Sequence, residues 1–206
     1  MTTFSIGIPT LNRFDLLLPS LKLYIKDFPD VQIFIVDNGK QSIPFIENIT
    51  IIKTEQNIGV GASWNILCKY CFLKSENALI LNDDIYLGKS KENIEELIIK
   101  KPNTFLTATP DWCAFIIPKS IYEKVGDFDE CFFPAYYEDN SYAYRMKLKG
   151  IAKLSTPYLN PITYRVSKSI EKDSSIFNYR KKNRDLYVEM WGGLPEREKF
   201  TKPFNI

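Results

Sequence analysis

Four short apolar runs, Thr3–Ile8, Val31–Val36, Ile49–Lys53 and Ala78–Leu81, punctuate residues 1–90 of this chain. They are rich in strand-favouring residues and bounded by polar or turn-forming ones, so each reads as a strand. Between them, Leu16–Ile25 and Ala62–Leu73 carry apolar residues at helical spacing. Pro9 is expected to end the first strand, and Pro19 to start or kink the first helix. The alternation of strand and helix points to a parallel α/β sheet.

The ends of these strands carry the chemistry. In open α/β sheets ligands bind outside the carboxyl ends of the strands. Three strands are followed there by polar or acidic residues: Thr10-Leu11-Asn12-Arg13, Asp37-Asn38-Gly39 and Asn82-Asp83-Asp84. Adjacent carboxylates repel one another, an arrangement that a divalent cation favours. Magnesium-like ions take one or two carboxylates and fill the rest of their shell with water and phosphate oxygens. Asn57-Ile58-Gly59-Val60-Gly61 runs into the second helix, where backbone N–H groups can approach a phosphate or sugar.

Beyond residue 90 the pattern changes. Lys91–Lys100 is an amphipathic surface helix, Thr104–Ala108 and Ala114–Ile117 read as strands, and Lys119–Val125 is a short helix stopped by Gly126. An acidic and aromatic loop, Asp127 to Phe133, leads to Tyr136-Tyr137-Glu138-Asp139-Asn140, placed just before a helix at Ser141–Lys149. Phe177–Met190 forms a further helix whose Lys and Arg residues suggest a solvated face.

Composition narrows the chemistry. With 27 basic and 25 acidic residues the net charge is +2, which predicts no general nucleic-acid affinity. No apolar run approaches the ~20 residues of a membrane span, and Met1–Pro9 lacks a signal-peptide pattern. The expectation is a soluble, cytoplasmic chain, with peripheral contact to a membrane surface as the other placement. The four cysteines include one Cys68-x-x-Cys71 pair on a helical segment; all four are read as small buried hydrophobes rather than zinc ligands. There is no histidine, so any general base is a carboxylate, lysine, tyrosine or cysteine.

Taken in order, Ile8-Pro9-Thr10-Leu11-Asn12-Arg13, Val36-Asp37-Asn38-Gly39, Asn57-Ile58-Gly59 with Asn65, Leu81-Asn82-Asp83-Asp84, Val125-Gly126-Asp127-Phe128-Asp129-Glu130, and Glu138-Asp139 with Arg145 and Gly150 resemble the motifs of family 2 glycosyltransferases. These are inverting enzymes of the GT-A fold, and the match covers residues 3–155; Trp191-Gly192-Gly193-Leu194-Pro195 is similar to the tails of small bacterial or viral members. The resemblance implies a single α/β domain with a donor half at 1–90, an acceptor and catalytic half at 91–172, and a C-terminal helix and tail at 173–206.

It also implies roles. Pro9, Thr10, Asn12 and Arg13 would line the nucleotide cleft. Asp37 would accept a hydrogen bond from the base, which ranks UDP-sugars first. Asn57, Gly59 and Asn65 would shape the loop beside ribose and diphosphate, with Asp83 on ribose or a metal-bound water. Asp84 would ligate Mn²⁺ or Mg²⁺. Asp139 would be the catalytic base, with Glu138 the alternate, and Trp112, Tyr136 and Tyr137 would meet the acceptor, a glycan, glycoprotein or glycolipid. Family members often carry a histidine after the base helix; Tyr164-Arg165 falls near its place, with Arg165 or Lys168 as candidate phosphate contacts. The alternatives are a catalytically silent nucleotide-sugar or glycan-binding module of the same fold, and a nucleotidyltransferase. The latter wants a Gly-rich basic loop after the first strand that this chain lacks.

Overall fold

A computed structural model describes residues 3–109, 112–164 and 175–206. Its centre is a seven-stranded sheet of order β3-β2-β1-β4-β7-β6-β8. The strands are β1 (Ser5–Thr10), β2 (Ile33–Asp37), β3 (Ile49–Lys53), β4 (Asn77–Leu81), β6 (Phe105–Thr107), β7 (Ala114–Pro118) and β8 (Lys153–Ser155). β7 runs antiparallel to both its neighbours, and every other pairing is parallel. A small ribbon, β5 (Ile85–Tyr86) with β9 (Thr163–Tyr164), lies beside the sheet.

The central strands show both faces to a core. On one face Ile33, Ile35, Leu79, Leu81 and Ile116 pack with Leu17, Leu21 and Tyr24 of α1 (Phe14–Asp27) and Ile94 of α3 (Lys91–Lys100). On the other, Phe34, Val36, Ala78, Ile80, Phe115 and Ile117 meet α2 (Val60–Phe72), α4 (Lys119–Val125) and α5 (Glu138–Leu148). This doubly buried alternation is why the strands read as continuous apolar runs. Gly7 lets α2 ride close to the sheet: a Cβ there would sit 2.7 Å from Ile80 and 2.9 Å from Leu67.

Pro9 does not end the first strand. β1 continues to Thr10, with Pro9 paired to Val36. Ile6 N–H donates to Gln32 and the Thr10 carbonyl accepts from Asn38, so alternate residues bond toward β2 and Pro9 faces β4. The β4 ladder has already stopped at Gly7–Ile80, so the missing N–H leaves no gap. The first helix likewise starts at Phe14 with Pro19 inside it, and α5 starts at Glu138, placing Glu138 and Asp139 in its first turn instead of ahead of it. Cys131 is exposed, unlike Cys68, Cys71 and Cys113, because it falls in the loop before α5 and faces no core.

The C-terminal helix, α6 (Ser175–Trp191), is more than a solvated surface. Asn183, Tyr187 and Trp191, four residues apart, form a stripe no more than 1% exposed. Tyr187 and Trp191 pack with Phe132 and Tyr144 in a third, smaller core.

Candidate active site

Sheet register assembles the first part of the site. Thr10 pairs with Asp37 across β1 and β2, and the β1–β4 register, extended three residues from Gly7–Ile80, sets Asp83 level with Thr10. Side chains then join the row. Gln41 Nε2 donates to Asp37 Oδ1 at 3.1 Å and to Thr10 Oγ1 at 3.2 Å. The Thr10 hydroxyl in turn bonds the Asp83 carboxylate and favours its charged form. Asp37 Oδ1 also accepts from Gly39 N–H at 3.0 Å. Asp37 Oδ2 is buried and has no partner.

At the other end of the row, burial pushes Asp83 up to about 7, helped by the charge of Asp84 and opposed by Thr10 and Arg13. Burial also raises Asp84, against the pull of Arg13. Arg13 is buried, forks onto Asp15 through Nε at 3.1 Å and Nη2 at 3.2 Å, and keeps Nη1 buried and unpartnered. Asp84 Oδ1 is a buried acceptor with no partner. Native proteins satisfy nearly all such groups, so this concentration at one sheet edge marks a place built for a polar ligand.

That donor set suits a divalent cation that arrives with a diphosphate. Asp84 has an unused oxygen, and a cation would relieve the cost of charging two adjacent buried carboxylates. No cluster of three metal-ligating side chains occurs among the described residues, so phosphate oxygens and water would complete the shell.

The neighbouring loops close around this edge. Asn12, at φ 54°, accepts from Lys40 N–H at 3.0 Å and ties the β1–α1 turn to the loop after β2. Asn38 Nδ2 donates to Ser63 Oγ of α2 at 2.6 Å, while Asn57 Oδ1 accepts from Gly59 N–H at 2.9 Å. Gly59, at φ 85°, allows the backbone to approach Phe133 and Pro134, each 3.1 Å from where its Cβ would be. Val60 N–H then donates to Pro134 O at 2.9 Å. Through these contacts the turn carrying Tyr136, Tyr137, Glu138 and Asp139 is held at the same end of the sheet as Asp37. A cleft of about 490 Å³ opens beside it, lined by Gln56, Asn57, Ile58, Ala62, Ile66, Glu130 and Phe133.

Tyr136 and Tyr137 both adopt left-handed backbone, φ 76° and 78°. For bulky residues that conformation costs about 1–3 kcal/mol each and persists only where neighbours enforce it. Both side chains are half-buried, Tyr136 lying 5.8 Å under Arg180 and Tyr137 packing on Tyr187. Glu138 is 5% exposed, with Oε2 unpartnered, and burial together with the Asp139 charge raises it well above the ordinary glutamate range. Asp139 is half-buried and accepts from Asn140 N–H at 2.7 Å.

Two expected site residues lie elsewhere. Trp112 is 6% exposed inside an aromatic cluster with Trp64, Phe105, Phe115, Phe128 and Tyr142, so its ring has no free face for a sugar. Asn65 is spent on the 128–130 loop, donating to Phe128 O at 3.0 Å and Glu130 Oε1 at 2.9 Å and accepting from Phe128 N–H at 2.7 Å. Arg165 and Lys168 lie outside the described residues. Sequence reasoning missed Gln41 and Asn183. Gln41 stands in a loop with no periodicity to signal it, whereas Asn183 shares its helical spacing with Tyr187 and Trp191.

Sheet order and the single reversed strand give a mixed α/β fold of the GT-A type. No family sequence model matches the chain, and no curated protein matches it by sequence. Solved structures do match. PcManGT, a mannosyltransferase from Pyrobaculum calidifontis solved with GDP-Man and Mn²⁺, aligns at a TM-score of 0.60 and 12% identity over 80% of this chain and 57% of that one. GalNAc-T7, solved with UDP, GalNAc and Mn²⁺, aligns at 0.65 and 11% identity over 92% of this chain and 48% of that one. The chain thus spans about half the length of these structures, and the likeness is one of fold.

Proposed function

We propose that this chain is an inverting glycosyltransferase of family 2 type. It moves a sugar from a nucleoside diphosphate donor, UDP-sugars first, to a hydroxyl of a glycan, glycoprotein or glycolipid. One observation carries the reading: the bonded row Asp37–Gln41–Thr10–Asp83 has buried, unused acceptors at Asp37 and, beside Asp83, at Asp84. An acceptor at one end suits a base N–H, and one at the other suits a metal-bound diphosphate.

In this mechanism Asp37 Oδ2 accepts from the base, and Pro9, Thr10 and Asn12 line the cleft around it. Asn57 and Gly59 shape the wall beside ribose, while Asp83 bonds ribose or a metal-bound water. Arg13 offers its free Nη1 to the diphosphate. Asp84 would hold Mn²⁺ or Mg²⁺, which when bound supplies Lewis-acid stabilisation of the leaving diphosphate. Asp139 removes the acceptor hydroxyl's proton as that oxygen attacks the anomeric carbon and the C–O bond to the diphosphate breaks. Attack from the opposite face inverts the centre without a covalent intermediate. Glu138 is the poorer base, because its burial favours the protonated acid. Tyr136 and Tyr137 flank the acceptor. The donor half is residues 1–90, the acceptor half 91–172, and the remainder is the tail.

No described helix is long and apolar enough to cross a membrane. The test is calorimetric titration of UDP, GDP and dTDP, each with and without Mn²⁺, on wild type and Asp84→Ala. Metal-dependent UDP binding that Asp84→Ala abolishes is the expected result. Absence of binding by every nucleotide overturns the reading.

A further inference from the structure

Asn183 stands on α6, 47 residues beyond Tyr136, yet its side chain reaches the strained turn directly. Its Nδ2 places two N–H groups among three carbonyls of one short stretch, Ala135 O at 2.8 Å, Phe133 O at 3.2 Å and Tyr136 O at 3.3 Å, one bond being shared. The residue is 1% exposed and Oδ1 has no partner, so the amide's bonding is concentrated on this turn. A nitrogen carries the donors an orphaned carbonyl needs, which fixes the amide's orientation. The turn then passes through the left-handed Tyr136 and Tyr137 and enters α5 at Glu138 and Asp139. One turn and two turns farther along α6 the same stripe continues: Tyr187 packs on Tyr137, and Trp191 Nε1 donates to Ser141 Oγ at 2.9 Å.

We propose that Asn183 is a positioning residue, clamping the carbonyls of residues 133, 135 and 136 so that the turn delivers Asp139 to the acceptor hydroxyl. This rests on the reading of Asp139 as base. Asn183 touches no reacting atom in this scheme; it acts through the turn. The turn cannot hold itself, because two consecutive tyrosines in left-handed backbone have an easier conformation to relax into once the clamp is removed. A shift of about 1 Å in a catalytic group can cost 10²-fold in rate.

The test compares Asn183→Ala with Tyr187→Phe in the full chain. The second variant deletes the hydroxyl bonded to Glu198 while keeping the ring on Tyr137, so it reports loss of stability on the same helix without loss of the clamp. Hydrogen–deuterium exchange is read over residues 133–140, and initial rates of UDP-sugar turnover over a range of donor concentrations, at a temperature where both variants are folded. Asn183→Ala is expected to speed exchange in 133–140 about tenfold or more, lower kcat about 10²-fold and leave UDP affinity unchanged. Tyr187→Phe should do neither of the first two. Unchanged exchange in Asn183→Ala, or faster exchange with wild-type kcat, overturns the proposal. An Asp139→Ala variant that keeps its kcat removes the base reading instead; the exchange result then still decides whether Asn183 holds the turn.

Discussion

The two halves of the site are built by opposite means. At the proposed donor edge, strand register does the positioning: Thr10 pairs with Asp37, and the β1–β4 register carried past Gly7–Ile80 sets Asp83 level with them. At the turn that carries the proposed base, no strand pairing occurs among the described residues. Backbone carbonyls at 133, 135 and 136 are held by one amide from a distant helix, and two tyrosines sit in a conformation they would not adopt alone. The first arrangement is fixed by backbone pairing between neighbouring strands. The second depends on side-chain contacts from a distant helix, so changes far away in sequence should reach the proposed base. Substitutions at the edge should therefore weaken binding, and substitutions at the turn should slow chemistry.

Asp139→Ala gives the sharpest form of that contrast. Loss of general-base help should lower transfer about 10²–10⁴-fold, with UDP affinity unchanged by calorimetry. An Asp139→Ala protein that binds UDP poorly would break the division between the halves. Trp191→Ala comes next in size. It empties a large buried site and removes the indole bond to Ser141, for which about 3–5 kcal/mol of stability is the usual cost. Urea unfolding measures it; a shift of under about 1 kcal/mol would show that the tail does not brace α5.

Gln41→Ala tests the edge. It deletes the donor shared by Asp37 and Thr10, so two buried acceptors lose a partner: about 1–3 kcal/mol of folding stability should go with them, and UDP should bind more weakly to a row no longer bonded together. The rate at saturating donor should hold. A fall in kcat with unchanged affinity would place Gln41 on the wrong side of the comparison.

The same division decides what could be read from sequence. Asp37, Asp83 and Asp84 were legible because an apolar run that stops at a carboxylate is local information, and α/β topology puts such ends together. Pro9 misleads because proline breaks a strand only where its N–H faces a partner, and here the β4 ladder has ended. Trp112 looks like a sugar platform in a polar loop, but its position opposite Trp64 and Phe105 depends on sheet packing that no short window contains. On α6 the charges hid a buried stripe of which one member, Asn183, is polar. Hydropathy cannot separate a clamp of that kind from a surface asparagine.

The smallest expected effect concerns the acid next to the base. Burial, then the charge of Asp139, holds Glu138 well above its ordinary value, so the folded protein retains a proton that the unfolded chain gives up near 4.5. Stability from this group is complete below that pH and is lost as pH rises toward the folded value. Glu138→Gln cannot titrate. Its melting temperature should run parallel to wild type at acid pH and gain on it steadily above pH 4.5. Scanning calorimetry at several pH values checks the sign; curves that stay parallel would mean that Glu138 finds a partner for its charge. The chemistry follows the same sign. Glu138→Gln keeps a neutral group beside Asp139 at every pH, so it should keep activity and lose any decline tied to charging of Glu138. If activity instead falls as far as in Asp139→Ala, the two carboxylates share the proton and the base is the pair.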